Sequence, residues 1–236
     1  MKKGIVFLIV CLMLFCVGCS KTKTVKAKTF DGWTTVKMNN EVEFQIPPTM
    51  EIQKSSYTTI GKKAEPGLHA LLTIPDSNRI VAQQLGLNAV NKGAFKHYVR
   101  AIMEIMDSPE DLPSFGDTLK FTNKELEDMT NDIRQAFYNT SEQFKVADSK
   151  HRSYLLVGIT SPCKVVKVNG VDVLFCSYDT QLADNPFVNN YIYMFFNKKK
   201  VYKLSIFIRS TEHNLWTAEG RNVLDVVQTV QPIDKK

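Results

Sequence analysis

The sequence predicts an α+β domain: an antiparallel sheet covered by helices on both faces, an α/β/α sandwich that closes in a strand meander and a helix. Three observations carry this. Asn169-Gly170 stands between two apolar-rich runs, 163–168 and 171–178. Such a pair marks a hairpin, because a type I′ turn needs two residues at positive φ. Tyr191, Tyr193 and Phe195 alternate with Ile192, Met194 and Phe196. A strand apolar on both faces needs cover on both. Thr122 and Glu125 have capping-box spacing, with Phe121 and Leu126 placed as a hydrophobic staple, which marks the start of a helix.

In chain order, 33–38 and 41–46 read as strands joined at Asn39-Asn40, and Val42, Phe44 and Ile46 alternate with polar residues as in a half-buried strand. Pro47-Pro48 ends the second. A third strand is expected at 68–74. Asp76 is placed to cap a short helix stopping near Gly86. Phe95, Tyr98, Val99, Ile102 and Met106 follow at helical spacing and predict a helix over 92–106. Leu126, Met129, Ile133 and Phe137 carry one apolar face of a helix from about 123 to 146. The stretch 76–147 thus reads as a helical insertion in a single globular domain, 31–232. Strands are expected at 153–159 and across the Asn169-Gly170 hairpin, then at 191–196 and 201–209 about the Asn197–Lys200 turn. Ser210 or Thr211 is placed to cap a final helix to about Gln228, packing through Leu215, Trp216, Val223, Val227 and Val230.

The amino terminus reads differently. Lys2 and Lys3 precede an unbroken apolar run of 13 residues, 5–17, and Gly18-Cys19 follows. This order of charge, apolar stretch and small residue is that of an export signal. As a helix the run reaches only ~20 Å, short of the ~30 Å a membrane span needs. Cys16-Val17-Gly18-Cys19 resembles a lipobox, in which a small residue precedes the cysteine that receives diacylglycerol. The resemblance makes 1–18 a lipoprotein signal peptide. It makes Cys19 the lipid-bearing first residue, with a covalent lipid as the only expected cofactor, and 19–30 a basic tether.

The net charge of +6 belongs to that region. Lys2, Lys3, Lys21, Lys23, Lys26 and Lys28 precede residue 31 without an acidic residue among them, leaving 24 basic and 24 acidic residues in 31–236. A neutral domain lacks the attraction that nucleic-acid binding requires. Lys21, Lys23, Lys26 and Lys28 are placed to touch anionic head groups beside the lipid, or to serve as a solvated tether. Lys198, Lys199 and Lys200 read as an exposed hairpin turn.

Of five cysteines, export and lipidation leave Cys163 and Cys176. A two-residue Asn169-Gly170 turn sets Val168 opposite Val171, Lys167 opposite Asp172 and Val165 opposite Leu174. Continuing outward, Cys163 faces Cys176 on a non-hydrogen-bonded pair, where side chains approach most closely. A disulfide is expected there, with two adjacent reduced thiols as the alternative; an exported protein meets a compartment where the bridge persists.

No catalytic constellation is legible. His69, His97, His151 and His213 show no metal-binding spacing, and no metal is expected. The chain lacks a G-x-S-x-G elbow, a phosphate-binding loop and a dinucleotide turn. Ser20-Lys21-Thr22-Lys23 matches S-x-x-K but abuts the lipidated residue. Asp107, Glu110, Asp111 and Asp117 read as a turn-rich acidic loop, with a weak calcium site as the alternative. Asn139-Thr140-Ser141 falls in a predicted helix and is not taken as a sequon.

Trp33, the hairpin ending Phe44-Gln45-Ile46-Pro47-Pro48, the long strands at 191–196 and 201–209 and the helix containing Trp216 together resemble the PsbP-like α/β/α sandwich, including the DcrB-like bacterial lipoproteins. The resemblance covers 31–46 and 150–230 and rests on element order. It implies a non-catalytic, envelope-facing binding or assembly module, held at the membrane by its lipid, with an envelope protein as possible partner and no nucleic acid. The other readings are a small-ligand carrier, with a cavity lined by Tyr191, Tyr193 or Phe207, and an enzyme of unrecognised type.

Overall fold

The Asn169-Gly170 turn organises the largest hairpin among the described residues, with φ of 50° and 84° at its two residues. It joins β6 (Tyr154–Val168) to β7 (Val171–Leu182). Val168 pairs with Val171, Lys167 with Asp172 and Val165 with Leu174, the expected register. The computed structural model describes residues 26–54, 76–89, 98–148 and 150–233. The anchor segment with Cys19, Lys21 and Lys23, the expected strand at 68–74, and His69, Phe95 and His97 lie outside the described residues.

The other strands are β1 (Thr34–Met38), β2 (Val42–Ile46), β3 (Met50–Ile52), β4 (Arg79–Gln84), β5 (Val99–Asp107), β8 (Val188–Asn197), β9 (Lys200–Arg209) and β10 (Gln231–Pro232). Seven form an antiparallel sheet in the order β3-β4-β5-β9-β8-β7-β6; β1, β2 and β10 form a second. The fold is mixed, mostly antiparallel and poor in helix. Its long helix, α1 (Asn123–Ala147), starts on the expected capping box: Thr122 Oγ1 accepts from the Glu125 N–H, and Glu125 Oε2 accepts from the Thr122 N–H at 2.6 Å.

Both faces of the large sheet are covered, as the alternation in 191–196 requires. Leu174, Cys176, Ile192, Met194, Phe196 and Val201 form one core cluster, against which Leu126, Met129, Ile133 and Phe137 of α1 pack. Val173, Phe195, Leu204, Ile206 and Ile208 form the other with Val36, Met38, Val42, Phe44 and Ile46 of the small sheet. The second face is therefore covered mainly by a sheet, where helices on both faces were expected. The final helix expected to Gln228 exists only in pieces. A 3-10 turn (Ser210–Glu212), the single-turn α2 (His213–Trp216) and a 3-10 segment (Val223–Thr229) replace it. Gly220 at φ 73° breaks the path, and Asn222 restarts it by accepting from the Leu224 N–H.

The helical insertion is also corrected. Asp76 does cap, but a tight turn: its Oδ1 accepts from the Asn78 N–H at 2.8 Å, and the chain turns into β4. The helix expected over 92–106 gives way to β5, which pairs with β4 on one side and β9 on the other. A strand buried on both faces carries a nearly continuous apolar run. Such a run satisfies helical spacing as readily as strand spacing, so periodicity does not discriminate.

The acidic loop and the lysine turn belong together. Lys198 and Lys199 are the two residues between the paired Asn197 and Lys200. Lys199 Nζ lies 2.9 Å from Asp111, and Lys200 Nζ 2.7 Å from Asp107. Asp117 Oδ2 accepts from the Ser114 N–H at 2.8 Å. The loop clasps the hairpin.

Candidate binding groove

The small sheet and the carboxy-terminal segment cover one face of β6 and β7 at their turn end, through Val166, Val168, Val171 and Val173, and the groove lies beside that contact. Side chains of Lys164 and Val166 on β6, Phe175 on β7 and Tyr193 on β8 share that face, because alternate residues of a strand point the same way. They line an open groove of about 540 Å³ with Lys28, Lys167, Val227 and Gln228.

The walls are tied by one acceptor. The Gln228 carbonyl accepts from the Lys28 N–H at 2.9 Å and from Asn169 Nδ2 at 2.5 Å. It joins the amino-terminal strap, the hairpin turn and the last 3-10 segment. Asn169 thus holds the positive φ of its turn and also donates across the groove.

Aromatic and cationic groups alternate in the lining. The Phe175 and Tyr193 rings lie 4.9 Å apart, tilted by 38°. Lys164 Nζ stands 5.6 Å from the Phe175 ring centroid, within cation–π range. On the opposite face of the hairpin, Lys167 Nζ pairs with Asp172 Oδ1, whose other oxygen accepts from the Leu119 N–H at 3.1 Å. The Lys167–Asp172 pair was expected from the register. Burial raises the Tyr193 hydroxyl to about 12, so it stays a neutral phenol. Histidine, cysteine and carboxylate are missing from the lining residues. The groups present suit recognition of an anion with apolar character.

The two cysteines lie on the opposite face, under α1. Both are free and buried, with no disulfide between them. Pairing runs outward from the turn as expected to Lys164 and Phe175, and then shifts to Ser161 opposite Ser177. Pro162 and Cys163 together oppose Cys176, a β-bulge. The thiols still meet. A hydrogen bond from Cys176 holds the Cys163 thiol below its usual range, at about 7, against the opposing effect of burial. The same contact raises Cys176, and burial adds to it.

The aromatics expected around a carrier cavity do not converge. Tyr193 lines the groove. Tyr191 hydrogen-bonds through its hydroxyl to His213 Nε2 at 3.0 Å. Phe207 falls on the other face of the sheet, since it alternates with Ile206 and Ile208 of the first core cluster. Of the tether lysines, Lys26 and Lys28 are described and exposed, and Lys28 lines the groove. Lys164 and Phe175 were not singled out from sequence, although the register that paired the cysteines also sets these two opposite each other.

The fold and groove define an antiparallel α+β domain with a solvent-open basic and aromatic cleft. No family model matches the chain, and no curated protein matches it in sequence. Among solved structures it is similar to cyanobacterial PsbP (CyanoP) from Synechocystis sp. PCC 6803. The TM-score is 0.43 at 12% identity, over 92% of this chain and 98% of that one. It is also similar to a crystal structure from Bacteroides thetaiotaomicron VPI-5482, with a TM-score of 0.38 at 8% identity, over 82% of this chain and 46% of the other.

Proposed function

We propose that this chain is a membrane-anchored extracytoplasmic lipoprotein whose domain is a non-catalytic binding or assembly module. The observation that carries the reading is the make-up of the groove: amines, amides and aromatic rings, with no histidine, cysteine or carboxylate among the lining residues. Such a lining suits recognition of an anion with apolar character. The anchor rests on the sequence, in which a charged and apolar leader runs into Gly18-Cys19. Lys21, Lys23, Lys26 and Lys28 then touch the membrane surface beside the lipid. The PsbP-like and DcrB-like reading rests on element order and agrees with a binding role.

The test is the intact mass of the protein extracted from its own envelope, with affinity capture of whatever is bound. The expected product begins at Cys19, carries a diacylglycerol with a further acyl chain, and leaves the membrane with detergent but not with salt. Two acyl signals or more are needed for stable anchoring. A mature chain that begins elsewhere, or an unmodified Cys19 in the aqueous phase, overturns the anchor.

A further inference from the structure

We propose that the groove seats the domain on an anionic lipid surface, with Lys28 and Lys164 on head-group phosphates and Phe175 and Tyr193 at the interface. This rests on the anchored reading and adds an orientation to it.

Four observations converge. First, the tether enters the domain at the groove: the Lys28 N–H is fixed on the Gln228 carbonyl. Lys28 lies nine positions after Cys19, and nine extended steps span at most ~30 Å. A lipid on Cys19 therefore holds this face close to the bilayer. Second, the charge is continuous in sign. Lys21, Lys23 and Lys26 lead into Lys28, and Lys164 continues inside the groove. Lys167 points the other way: its ammonium pairs with Asp172 on the opposite face, where Asp172 also accepts from the Leu119 N–H. The groove lining thus bears lysines and no carboxylate, although residues 31–236 as a whole are formally neutral. Third, Lys164 has no anionic partner among the described residues; its neighbour is the Phe175 ring. An ammonium on an aromatic face suits the membrane interface, where amphipathic rings sit at head-group level. Fourth, the groove is open, as a surface that accepts a row of head groups must be, whereas a carrier encloses most of its ligand.

Each lysine brought to an anionic membrane surface contributes about fivefold in partitioning, and Lys28 with Lys164 about 30-fold together. The attraction fades over about 10 Å at ~0.1 M salt and about 3 Å at ~1 M.

The experiment places the full lipidated chain in vesicles of phosphatidylcholine, or of phosphatidylcholine with phosphatidylglycerol, and measures acetylation of each lysine by mass spectrometry. Lys28 and Lys164 are expected to react about tenfold or more slowly on the vesicles with phosphatidylglycerol, with protection lost at ~1 M salt. Lys124 and Lys145, exposed on α1 across the sheet, are expected to react equally on both. Lys164→Gln is expected to reduce the protection of Lys28 about fivefold, and Lys164→Arg to keep it; equal melting temperatures exclude a folding defect. Equal labelling of the groove on both vesicles overturns the proposal. So does protection that appears only when an acidic envelope protein is added. If Cys19 proves unlipidated, the chain leaves phosphatidylcholine vesicles and the anchored reading fails separately. Sedimentation of that chain with phosphatidylglycerol vesicles then supports the groove, and sedimentation with neither overturns it.

Discussion

The Cys163 backbone N–H donates to the Thr130 hydroxyl at 3.0 Å, and that hydroxyl donates onward to the Leu126 carbonyl at 2.8 Å. The bulge in β6 is thereby fastened to the helix above it, and its amide finds a partner outside the sheet. Thr130→Val keeps the shape and removes the acceptor. It is expected to destabilise the protein by about 1–3 kcal/mol, the cost of a buried donor left unmade. Thr130→Ser is expected to lose about 1 kcal/mol or less. Urea midpoints for the three proteins check this; equal midpoints for Val and wild type would show that the bulge does not depend on α1.

The Cys163–Cys176 pair is expected to close under mild oxidation. With oxidised glutathione, the Cys163 thiolate attacks one sulfur and displaces a glutathione thiolate. Cys176 then attacks the mixed disulfide at Cys163 and releases the second glutathione. Two protein thiols are lost and two glutathiones gained, with a stability gain of at most ~3 kcal/mol. Thiol titration of the native chain after oxidation reads the outcome. In Cys176→Ala the donor to Cys163 is gone while burial remains, so the pH midpoint of Cys163 alkylation should rise relative to wild type. An unchanged midpoint would refute the thiol–thiol contact.

Glu104 is the middle of a ladder across three strands. Arg79 Nε lies 2.6 Å from one of its oxygens and Lys203 Nζ 2.5 Å from the other. Burial raises this carboxyl, but Lys203 and Arg79 together outweigh burial and hold it below the usual carboxylate range. An acid whose folded pKa is depressed stabilises the fold fully above its unfolded pKa, and that stability is lost as pH falls through the folded value. The stability difference between wild type and Glu104→Gln, about 1–3 kcal/mol at neutral pH, is therefore expected to shrink as pH drops below about 4.5. Denaturant titrations from neutral to acid pH test it; a difference that stays constant would remove the ladder from the acid response.

Two glycines of the same strand pair separate backbone strain from crowding. An added Cβ at Gly170 or at Gly158 meets nothing within 4 Å, but Gly170 sits at φ 84° and Gly158 carries no such φ. Gly170→Ala is expected to cost about 1–2 kcal/mol. Gly158→Ala is expected to be neutral or to stabilise by up to about 1 kcal/mol through the unfolded chain. Thermal melts of the two variants decide; similar losses at both sites would mean that strand twist at Gly158 also needs glycine.

Local chemistry was the readable part of this sequence. The Asn169-Gly170 turn, the Thr122–Glu125 box and the alternation in 191–196 each specify a conformation within a few residues, and each led to the right element. The central strands did not yield to the same reasoning. Val99, Ala101 and Met103 lie in one core cluster, while the intervening Ile102 is also buried, so the segment shows apolar residues at every period. Only its pairing with β4 and with β9, the latter about 100 residues away, makes it a strand. The groove was half visible. Lys164 opposite Phe175 follows from the hairpin register, but Lys28 and Gln228 join them through the folding of distant chain ends, which no local pattern encodes.

The pairing of β5 with β9, from Val99 opposite Ile208 to Asp107 opposite Lys200, has a consequence for how the chain is made. β6 to β9 form a meander of neighbours that closes as soon as it exists. The seam to β5 waits for a partner a hundred residues later, about 5–20 s of synthesis at ~5–20 residues per second. During that interval β5 has β4 on one edge and an open edge on the other. Late, long-range closure of this kind folds slowly, and the chain is most exposed to mispairing and proteolysis before its last third arrives.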